Sequence, residues 1–267
     1  MLDTARLYGR YLGISIRAQM QYRASFLLQS LGQFLVTGVE FLGLWALFDR
    51  FGSIKGWSLP EVAFFYGVVN VAFSFADALS TGFDRMGDFI KRGEFDRVLL
   101  RPRSTVLQLA GYELALRRVG RLLQGGIILA WAASTLEVAW SAPSVLLLLA
   151  AIAGGACLFF ALFVVQGTLS FWTIESLEIV NTVTYGGVET AQYPLAIYAV
   201  WFRRFFTFVV PLAAIAYFPV VAILGREDPL GSPLWFQWTS PLLGFGFLLV
   251  TLQLWRLGLR HYSSTGS

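Results

Sequence analysis

The sequence PSVLLLLAAIAGGACLFFALFVVQGTLSFW, residues 143–172, runs its whole length without a charged side chain. A helix needs about 20 mostly apolar residues to cross a hydrocarbon core of roughly 30 Å. This stretch exceeds that length, so it could be tilted in the membrane. Five other stretches have the same character. The chain therefore predicts six membrane spans, at residues 26–48, 60–82, 122–140, 143–172, 205–224 and 239–255.

These spans predict an all-α polytopic membrane protein that forms a single transmembrane domain over residues 1–267. Apolar residues make up 57% of the chain and charged residues 13%, about half the charged share of a soluble domain. The longest connection between spans, residues 83–121, is too short to hold a separate soluble domain.

The basic residues predict the orientation of the chain. If the N-terminus is cytoplasmic, 17 of the 20 Lys and Arg residues lie in inner segments, and only Arg50, Lys55 and Arg226 lie in outer loops. An excess of Lys and Arg marks the cytoplasmic loops of membrane proteins, so both termini are expected to be cytoplasmic. The same bias explains the net charge of +4 better than binding to nucleic acid does.

The chain lacks the residue types that most catalytic chemistry needs. His261 is its one histidine and Cys157 its one cysteine, so no transition-metal site is expected in this chain. The sequence contains no Gly-x-x-x-x-Gly-Lys phosphate loop, so ATP is not expected to bind here in that manner. We expect a protein that is not an enzyme and that carries no cofactor of its own.

Residues 1–23 have the pattern of a helix that lies on the membrane surface. Arg6, Arg10 and Arg17 fall on one narrow arc of a helical projection, and apolar side chains occupy most of the remaining circumference. The alternative is that this segment only extends the first span.

The inner connection at residues 83–121 predicts two short amphipathic segments. Apolar residues recur at helical spacing from Phe83 to Ile90, Gly93 can end that helix, and a second apolar face follows at residues 95–99. Two apolar faces favour docking on lipid or on another protein over a plain linker.

Ionisable side chains inside a span usually face protein or water, because burying one in lipid costs about 2.5–3.5 kcal/mol. Glu40 is the deepest of them, and it either lines a polar pathway or hydrogen-bonds across helices. Asp77 lies near the inner end of its span, where capping or pairing with an arginine of the inner connection is favoured.

Two features mark the fifth span and the outer loop after it. Pro211 and Pro219 are expected to kink that span, since each removes a backbone donor. The loop at residues 225–238 ends in an aromatic run that is expected to dip back into the outer leaflet.

Several short motifs together resemble a known family. They are GEFDRVLLRP at residues 93–102, the pair Tyr193-Pro194 ahead of the fifth span, and Pro211 and Pro219 within it. With six spans and two inner termini, the chain resembles the permeases of bacterial ABC exporters of the second class (type 2), in particular a group of uncharacterised permeases of about this length.

This resemblance implies a type-2 ABC exporter fold and a division of labour. Residues 1–23 would be the connecting helix, and Phe83–Leu100 would carry the coupling helix that docks on a cytoplasmic ABC ATPase dimer. ATP and Mg²⁺ would bind to that partner, and a second permease, identical or related, would complete the pathway. The location would be the bacterial cytoplasmic membrane, in contact with its lipids.

The resemblance also implies roles for particular residues. Contact with the ATPase falls on Arg85, Asp88, Lys91, Arg92, Gly93, Glu94, Asp96 and Arg97. A second, smaller inner contact falls on Glu175 and Glu178, and the outer gate on Trp235, Phe236 and Trp238.

Two other classes of function are open to the sequence. One is a non-transporting scaffold subunit of a membrane complex. The other, with less support, is an integral membrane enzyme built on Glu40 and Asp77. The substrate, the identity of the second permease and the direction of transport are also open.

Overall fold

A computed structural model describes residues 2–173 and 177–263 of the chain, which form helices joined by turns. The helices are α1 (Leu2–Met20), α2 (Arg23–Phe51), α3 (Leu59–Ala78), α4 (Thr81–Asp84), α5 (Met86–Lys91), α6 (Phe95–Leu99), α7 (Thr105–Ala110), α8 (Val119–Thr135), α9 (Ala142–Leu169), α10 (Leu177–Ala191), α11 (Val200–Arg204), α12 (Leu212–Ile215), α13 (Tyr217–Leu224), α14 (Leu234–Thr239) and α15 (Leu242–His261).

The helices α2, α3, α8, α9, α10 and α15 run along the axis of one bundle. α3 and α8 are antiparallel, because Asp77 pairs with Arg118 at one end and Gly67 packs on Leu129 further along. α3 is the centre of the bundle: 15 of its 20 residues are buried. By contrast, only three of the 29 residues of α2 are buried, so α2 presents most of its surface outward.

α9 and α15 run in the same direction and cross closely. The backbone of Gly154 lies against Gly244. Further along the same two helices, Thr168 lies against Gly258. Small residues allow helix backbones to approach each other in this way inside membranes. The crossing therefore depends on the absence of side chains at these glycines.

The two ends of the bundle differ in composition. The basic end carries residues 79–118, with most of the arginines of the inner connection, and the C-terminal part of α15. The far end carries the turn at Gly52–Ser58 between α2 and α3. α1 belongs to the basic end, because Ser15 Oγ accepts a hydrogen bond from the backbone N–H of Leu114 at 3.0 Å.

α1 is a helix of its own, and the turn at Gln21–Tyr22 separates it from α2. The interpretation of residues 1–23 as a separate helix agrees with this arrangement. The alternative, a continuous extension of the first span, does not.

Residues 205–224, predicted as the fifth span, do not form one straight helix, because the chain bends by 74° within them. Lys55, in the far-end turn, donates a hydrogen bond to the carbonyl oxygen of Ile197 at 2.9 Å. Arg226 donates one to a carbonyl oxygen of the same turn, also at 2.9 Å. The chain between these contacts therefore leaves the far end and returns to it, and we call residues 198–225 the re-entrant hairpin.

α10 provides the fifth passage along the bundle instead. It starts after α9 has reached the basic end and leads to Ile197 at the far end. Arg203 and Arg204 therefore lie towards the far end. The division of the 20 basic residues between the two sides, 17 against 3 in the sequence prediction, becomes 15 against 5, and the majority stays on the same side. The expected dip of residues 225–238 into the outer leaflet stays a prediction.

Pro211 and Pro219 have different effects. Pro211 separates the two arms of the hairpin, Val200–Val209 and Leu212–Leu224, which are bent by 74°. Its predicted role as a break is confirmed. Pro219 lies in the first turn of α13, after a break at Ala216 that separates α12 from α13. The kink expected at Pro219 stays a prediction.

Four helices, α2, α3, α9 and α15, are long and apolar enough to cross a membrane, and the bent pair would add a fifth candidate. α8 with 17 residues and α10 with 15 fall below that length. The structure therefore supports a multi-pass membrane protein, and the count of six spans stays a prediction.

Gly244→Val is expected to destabilise the bundle, because its side chain would overlap the carbonyl oxygen of Gly154 and force α9 and α15 apart. Overpacking of this kind costs about 1–3 kcal/mol. Gly246→Val on the same helix is the control, since nothing lies within 4 Å of a side chain placed there. Thermal unfolding of the purified protein in detergent measures the effect, and equal midpoints for both variants would contradict the close crossing.

The re-entrant hairpin predicts a labelling pattern that a fifth span would not give. In a chain carrying Cys157→Ala, Ala199→Cys and Glu227→Cys should react with a membrane-impermeant maleimide from the same side of the membrane. Arg97→Cys, at the basic end, should react from the other side. All three positions are exposed, so labelling of intact cells and of inverted vesicles measures their sidedness. Labelling of positions 199 and 227 from opposite sides would show that the segment between them crosses the membrane.

Candidate functional site

The short helices α4–α7 form a cap, residues 79–118, that closes the basic end of the bundle. Phe83 packs edge-on against Trp255 of α15, with ring centroids 5.6 Å apart. Phe95 contacts the ring of Phe171 at 5.5 Å. Phe83 and Phe95 therefore pack on the chain's own helices, whereas Leu99 of the second apolar face is exposed. Docking of the inner connection on lipid or on another protein stays a prediction.

The opposite face of the cap is charged and exposed. Among the residues assigned to ATPase contact, the exposed side chains are Arg85, Asp88, Lys91, Arg92 and Arg97, whereas Gly93, Glu94 and Asp96 are partly buried. Gly93 has a φ of 65° and ends α5, a left-handed conformation that favours glycine. This residue lets the chain reverse between α5 and α6 while both helices keep their apolar sides on the bundle.

Two hydrogen bonds join the cap to the region of α15. The hydroxyl of Tyr262 donates to a carboxylate oxygen of Asp96 at 2.9 Å, and the indole N–H of Trp255 donates to the hydroxyl of Thr105 at 2.8 Å. Asp96 therefore faces the chain's own C-terminal region, and the sequence motif alone did not indicate that partner.

Asp77 forms a buried ion pair at the root of the cap. Its carboxylate lies 2.7 Å from the guanidinium of Arg118, and the Asp77 side chain is 1% exposed. The expected pairing of Asp77 with an arginine of the inner connection is confirmed. The same carboxylate accepts a hydrogen bond from Ser80 Oγ at 3.3 Å, so both oxygens of the side chain are engaged.

Asp84 lies beside this pair in α4. Ser80 Oγ donates to its carboxylate at 3.1 Å, and Gln166 of α9 donates at 3.4 Å. Burial raises the pKa of the Asp84 carboxyl to about 6, the hydrogen bonds oppose that rise, and the negative charge of Asp77 adds to it. Asp84 is thus a carboxyl of the cap that titrates above its ordinary range.

Arg121 is buried inside the bundle, although the sequence analysis counted it with the inner connection. Its Nε–H donates to the side-chain oxygen of Asn70 at 2.7 Å, and its guanidinium lies 4.8 Å from the ring centroid of Phe73. No carboxylate of the described residues forms an ion pair with it. In the sequence, Arg121 lies one turn after Arg117 and Arg118, at the start of an apolar run, and this position is the feature that indicates its burial.

A second polar group joins α2, α3 and α8. The hydroxyl of Tyr66 donates to the carbonyl oxygen of Thr37 at 2.9 Å, and the side chain of Gln124 donates to the same oxygen at 3.2 Å. All three side chains are buried. Together with Arg121 and Asn70, this group forms a polar seam through the bundle.

Glu40 and Glu189 are exposed on the side of the bundle, on α2 and α10. The two carboxylates are near enough for their charges to repel each other. Within residues 2–173 and 177–263, Glu40 makes no hydrogen bond to another helix, so a structural bond across helices finds no support. Glu189 was missed because the sequence analysis placed it in an inner connection rather than in a helix of the bundle.

The second inner contact is only partly described. Glu175 lies outside the described residues, and of Glu178 only the place of its backbone at the start of α10 is described.

The residues assigned to an outer gate lie in and around α14 at the far end. Trp235 is 69% exposed, and Phe236 packs on Phe218 of the hairpin with centroids 5.0 Å apart. Trp238 is also exposed. These aromatic residues therefore cover one flank of the hairpin and do not themselves re-enter the bundle.

Arg226 fastens the hairpin to the far-end turn, and the sequence analysis assigned it no such role. Its guanidinium pairs with Glu61 at 3.1 Å and lies 4.3 Å from the ring centroid of Trp57. Each contact joins the hairpin to the start of α3 or to the turn before it.

The part of the chain that the structure describes holds no group of three or more His, Cys, Asp or Glu side chains that could bind a metal ion.

Residues 34–266 match the family described as "ABC-2 family transporter protein". The chain belongs to the ABC-2 transporter family. No curated protein and no solved structure matches it. The resemblance to ABC permeases of the second class is confirmed, and α1 with the first turns of α2 lies outside the matched residues.

Membership in the ABC-2 family identifies the chain as a membrane component of a transporter and implies an ABC ATPase partner in general terms. This fits a chain that has no phosphate loop.

Asp84→Asn is expected to change how stability depends on pH. A carboxyl whose pKa is raised by folding disfavours the folded state, fully so above about pH 6, and this cost is lost as the pH falls from about 6 towards 3.8. As the pH falls from 6.5 to 4.5, the free energy of unfolding of the wild type should therefore rise relative to that of Asp84→Asn. The rise should be on the order of the free energy that the raised pKa of this one carboxyl costs the folded state.

Unfolding midpoints of the two proteins, compared at each pH, measure this difference. Asp88→Asn removes an exposed carboxylate from the next helix and should leave the pH dependence unchanged. Parallel curves for the wild type and Asp84→Asn would show that Asp84 ionises in its ordinary range.

Proposed function

We propose that this protein is the permease subunit of an ATP-driven ABC exporter. One observation carries the proposal: the cap presents a row of exposed charges while its apolar face is fixed to α9 and α15. A chain without a phosphate loop that exposes such a surface is suited to receive movement from a partner that hydrolyses ATP.

The proposed topology has six spans, α2, α3, α8, α9, α10 and α15, in the bacterial cytoplasmic membrane. The basic end faces the cytoplasm, since Lys and Arg favour that side, and both termini lie there. α1 lies along the inner membrane surface as the connecting helix. The re-entrant hairpin enters from the outer side, where protein satisfies its interrupted backbone.

The proposed engine is a cytoplasmic ABC ATPase dimer that binds ATP and Mg²⁺. Asp88, Lys91, Arg92 and Arg97 would contact it, because these side chains are exposed on one surface of the cap. Movement of the cap would pass to the spans through fixed contacts, among them the hydrogen bond between Tyr262 and the cap at 2.9 Å.

The proposed pathway runs along the side of the bundle that exposes Glu40 and Glu189. A carboxylate that faces lipid costs about 2.5–3.5 kcal/mol, so this side is better suited to water and a second permease than to lipid. The exposed surface of α2 supports the same placement. The second permease would be a copy of this chain or a related one.

A non-transporting scaffold is the second candidate. It would bind the same partner through the cap, but it offers no reason for two carboxylates at the side of the bundle. An integral membrane enzyme has less support, because Asp77 is occupied by Arg118 and lies away from Glu40 along the bundle axis.

The test is recovery of the partner with a tagged chain. The wild type, purified from native membranes in mild detergent, should retain an ABC ATPase that mass spectrometry identifies. The double variant Arg92→Glu, Arg97→Glu should lose at least about tenfold of it, since each reversed charge meets a partner of unfavourable sign.

Arg50→Glu is the matched control, because it reverses an exposed charge at the opposite end of the bundle and should retain the ATPase. Equal recovery with the double variant would place the contact elsewhere. ATP hydrolysis by the purified complex that does not respond to Glu40→Gln or Glu189→Gln would favour the scaffold over the exporter.

A further inference from the structure

A cavity of about 680 Å³ lies between α1 and α2 at the basic end of the bundle. α1 forms one wall, the first turns of α2 form the other, and residues 111–113 of the cap close the inner side. The volume is that of a site for a small molecule, which usually measures about 300–1,000 Å³.

The cavity is held open by fixed contacts rather than by a loose helix. Ser15 Oγ accepts a hydrogen bond from the backbone N–H of Leu114 at 3.0 Å. The side chain of Gln19 donates to the carbonyl oxygen of Leu114 and accepts from the backbone N–H of Leu116. These bonds hold α1 against the cap on one side, and the turn at Gln21–Tyr22 joins it to α2 on the other.

The lining of the cavity is mixed. Tyr11, Ile14, Ala18 and Phe26 offer apolar contact, and Ser15, Gln19, Ser25, Gln29, Glu113 and Arg117 offer polar contact. A molecule with both an apolar chain and a polar head suits such a lining.

Two charged side chains, Glu113 and Arg117, line the cavity. Glu113 lies 3.7 Å from Arg85, and the neighbouring Arg118 is paired with Asp77 at 2.7 Å. Arg117 forms no ion pair with any residue that the structure describes. Arg117 is therefore the cation of this lining that an anionic head would meet.

We propose that this cavity binds one anionic phospholipid of the cytoplasmic leaflet, with its phosphate at Arg117 and an acyl chain between α1 and α2. Basic residues are concentrated at this end of the bundle, and anionic lipid is attracted by such clusters. The site rests on the membrane orientation proposed above but not on transport, and much of its wall lies outside the residues that match the ABC-2 family.

Native mass spectrometry of the purified, delipidated protein, titrated with phosphatidylglycerol, tests the site directly. One phosphatidylglycerol should bind per chain with saturation, in preference to phosphatidylethanolamine. Arg117→Gln should weaken that binding about fivefold, the effect of one cation at an anionic headgroup. Arg103→Gln, which removes an exposed charge that does not line the cavity, should bind as the wild type does.

A second pair of variants tests the apolar contact. Ala18→Trp places a large side chain in the cavity and should abolish the saturable binding, whereas Ala24→Trp, which does not line the cavity, should not. Equal binding of the two lipids, or an equal loss with Arg117→Gln and Arg103→Gln, would overturn the proposal. Neither result would bear on recovery of the ATPase, so failure of this site and failure of the proposed function are distinguishable.

Discussion

The ion pair between Asp77 and Arg118 holds the root of the cap together. The cap is a loop of chain between the end of α3 and the start of α8, and its two ends meet at this contact of 2.7 Å. The backbone N–H of Ala115 also donates to the carbonyl oxygen of Ala78 at 3.0 Å. Removing one partner of a buried ion pair costs about 3–5 kcal/mol, because a charge is left unpaired. Without the pair, the residues between α3 and α8 would be an ordinary loop with no fixed charged face.

Beyond this root, aromatic contacts fix the cap against α9 and α15. Phe95 lies between Phe171 and Tyr262, with ring centroids 5.5 and 5.1 Å away, and Trp255 contacts Phe171 at 5.2 Å. Aromatic pairs of this kind add about 0.5–1.5 kcal/mol each beyond their buried area. Further along, α9 and α15 touch through glycine backbones, so the two helices and the cap are suited to move as one body.

Much of the helical architecture could be predicted from the sequence, but the hairpin could not. Apolar periodicity indicates burial and length, and residues 205–224 are as apolar as a span, although most of residues 210–223 are buried in protein. Periodicity says nothing about whether a chain crosses or returns. The helix Leu177–Ala191 carries Glu178 and Glu189, so its sequence is typical of a connection. The count of basic residues does not distinguish the two arrangements, because only Arg203 and Arg204 change sides.

The buried cation of the polar seam is near enough to Glu189 for the two charges to attract each other. Arg121 binds neutral Asn70 and the ring of Phe73, and no carboxylate of the described residues forms an ion pair with it. Glu40 and Glu189 carry the opposite charge but face outward and repel each other. A carboxylate that faces lipid costs free energy, so this side of the bundle suits water better than lipid. In the proposed pathway, bounded by a second permease, water would surround these groups, and a twofold partner would bring a second set of them to the same place.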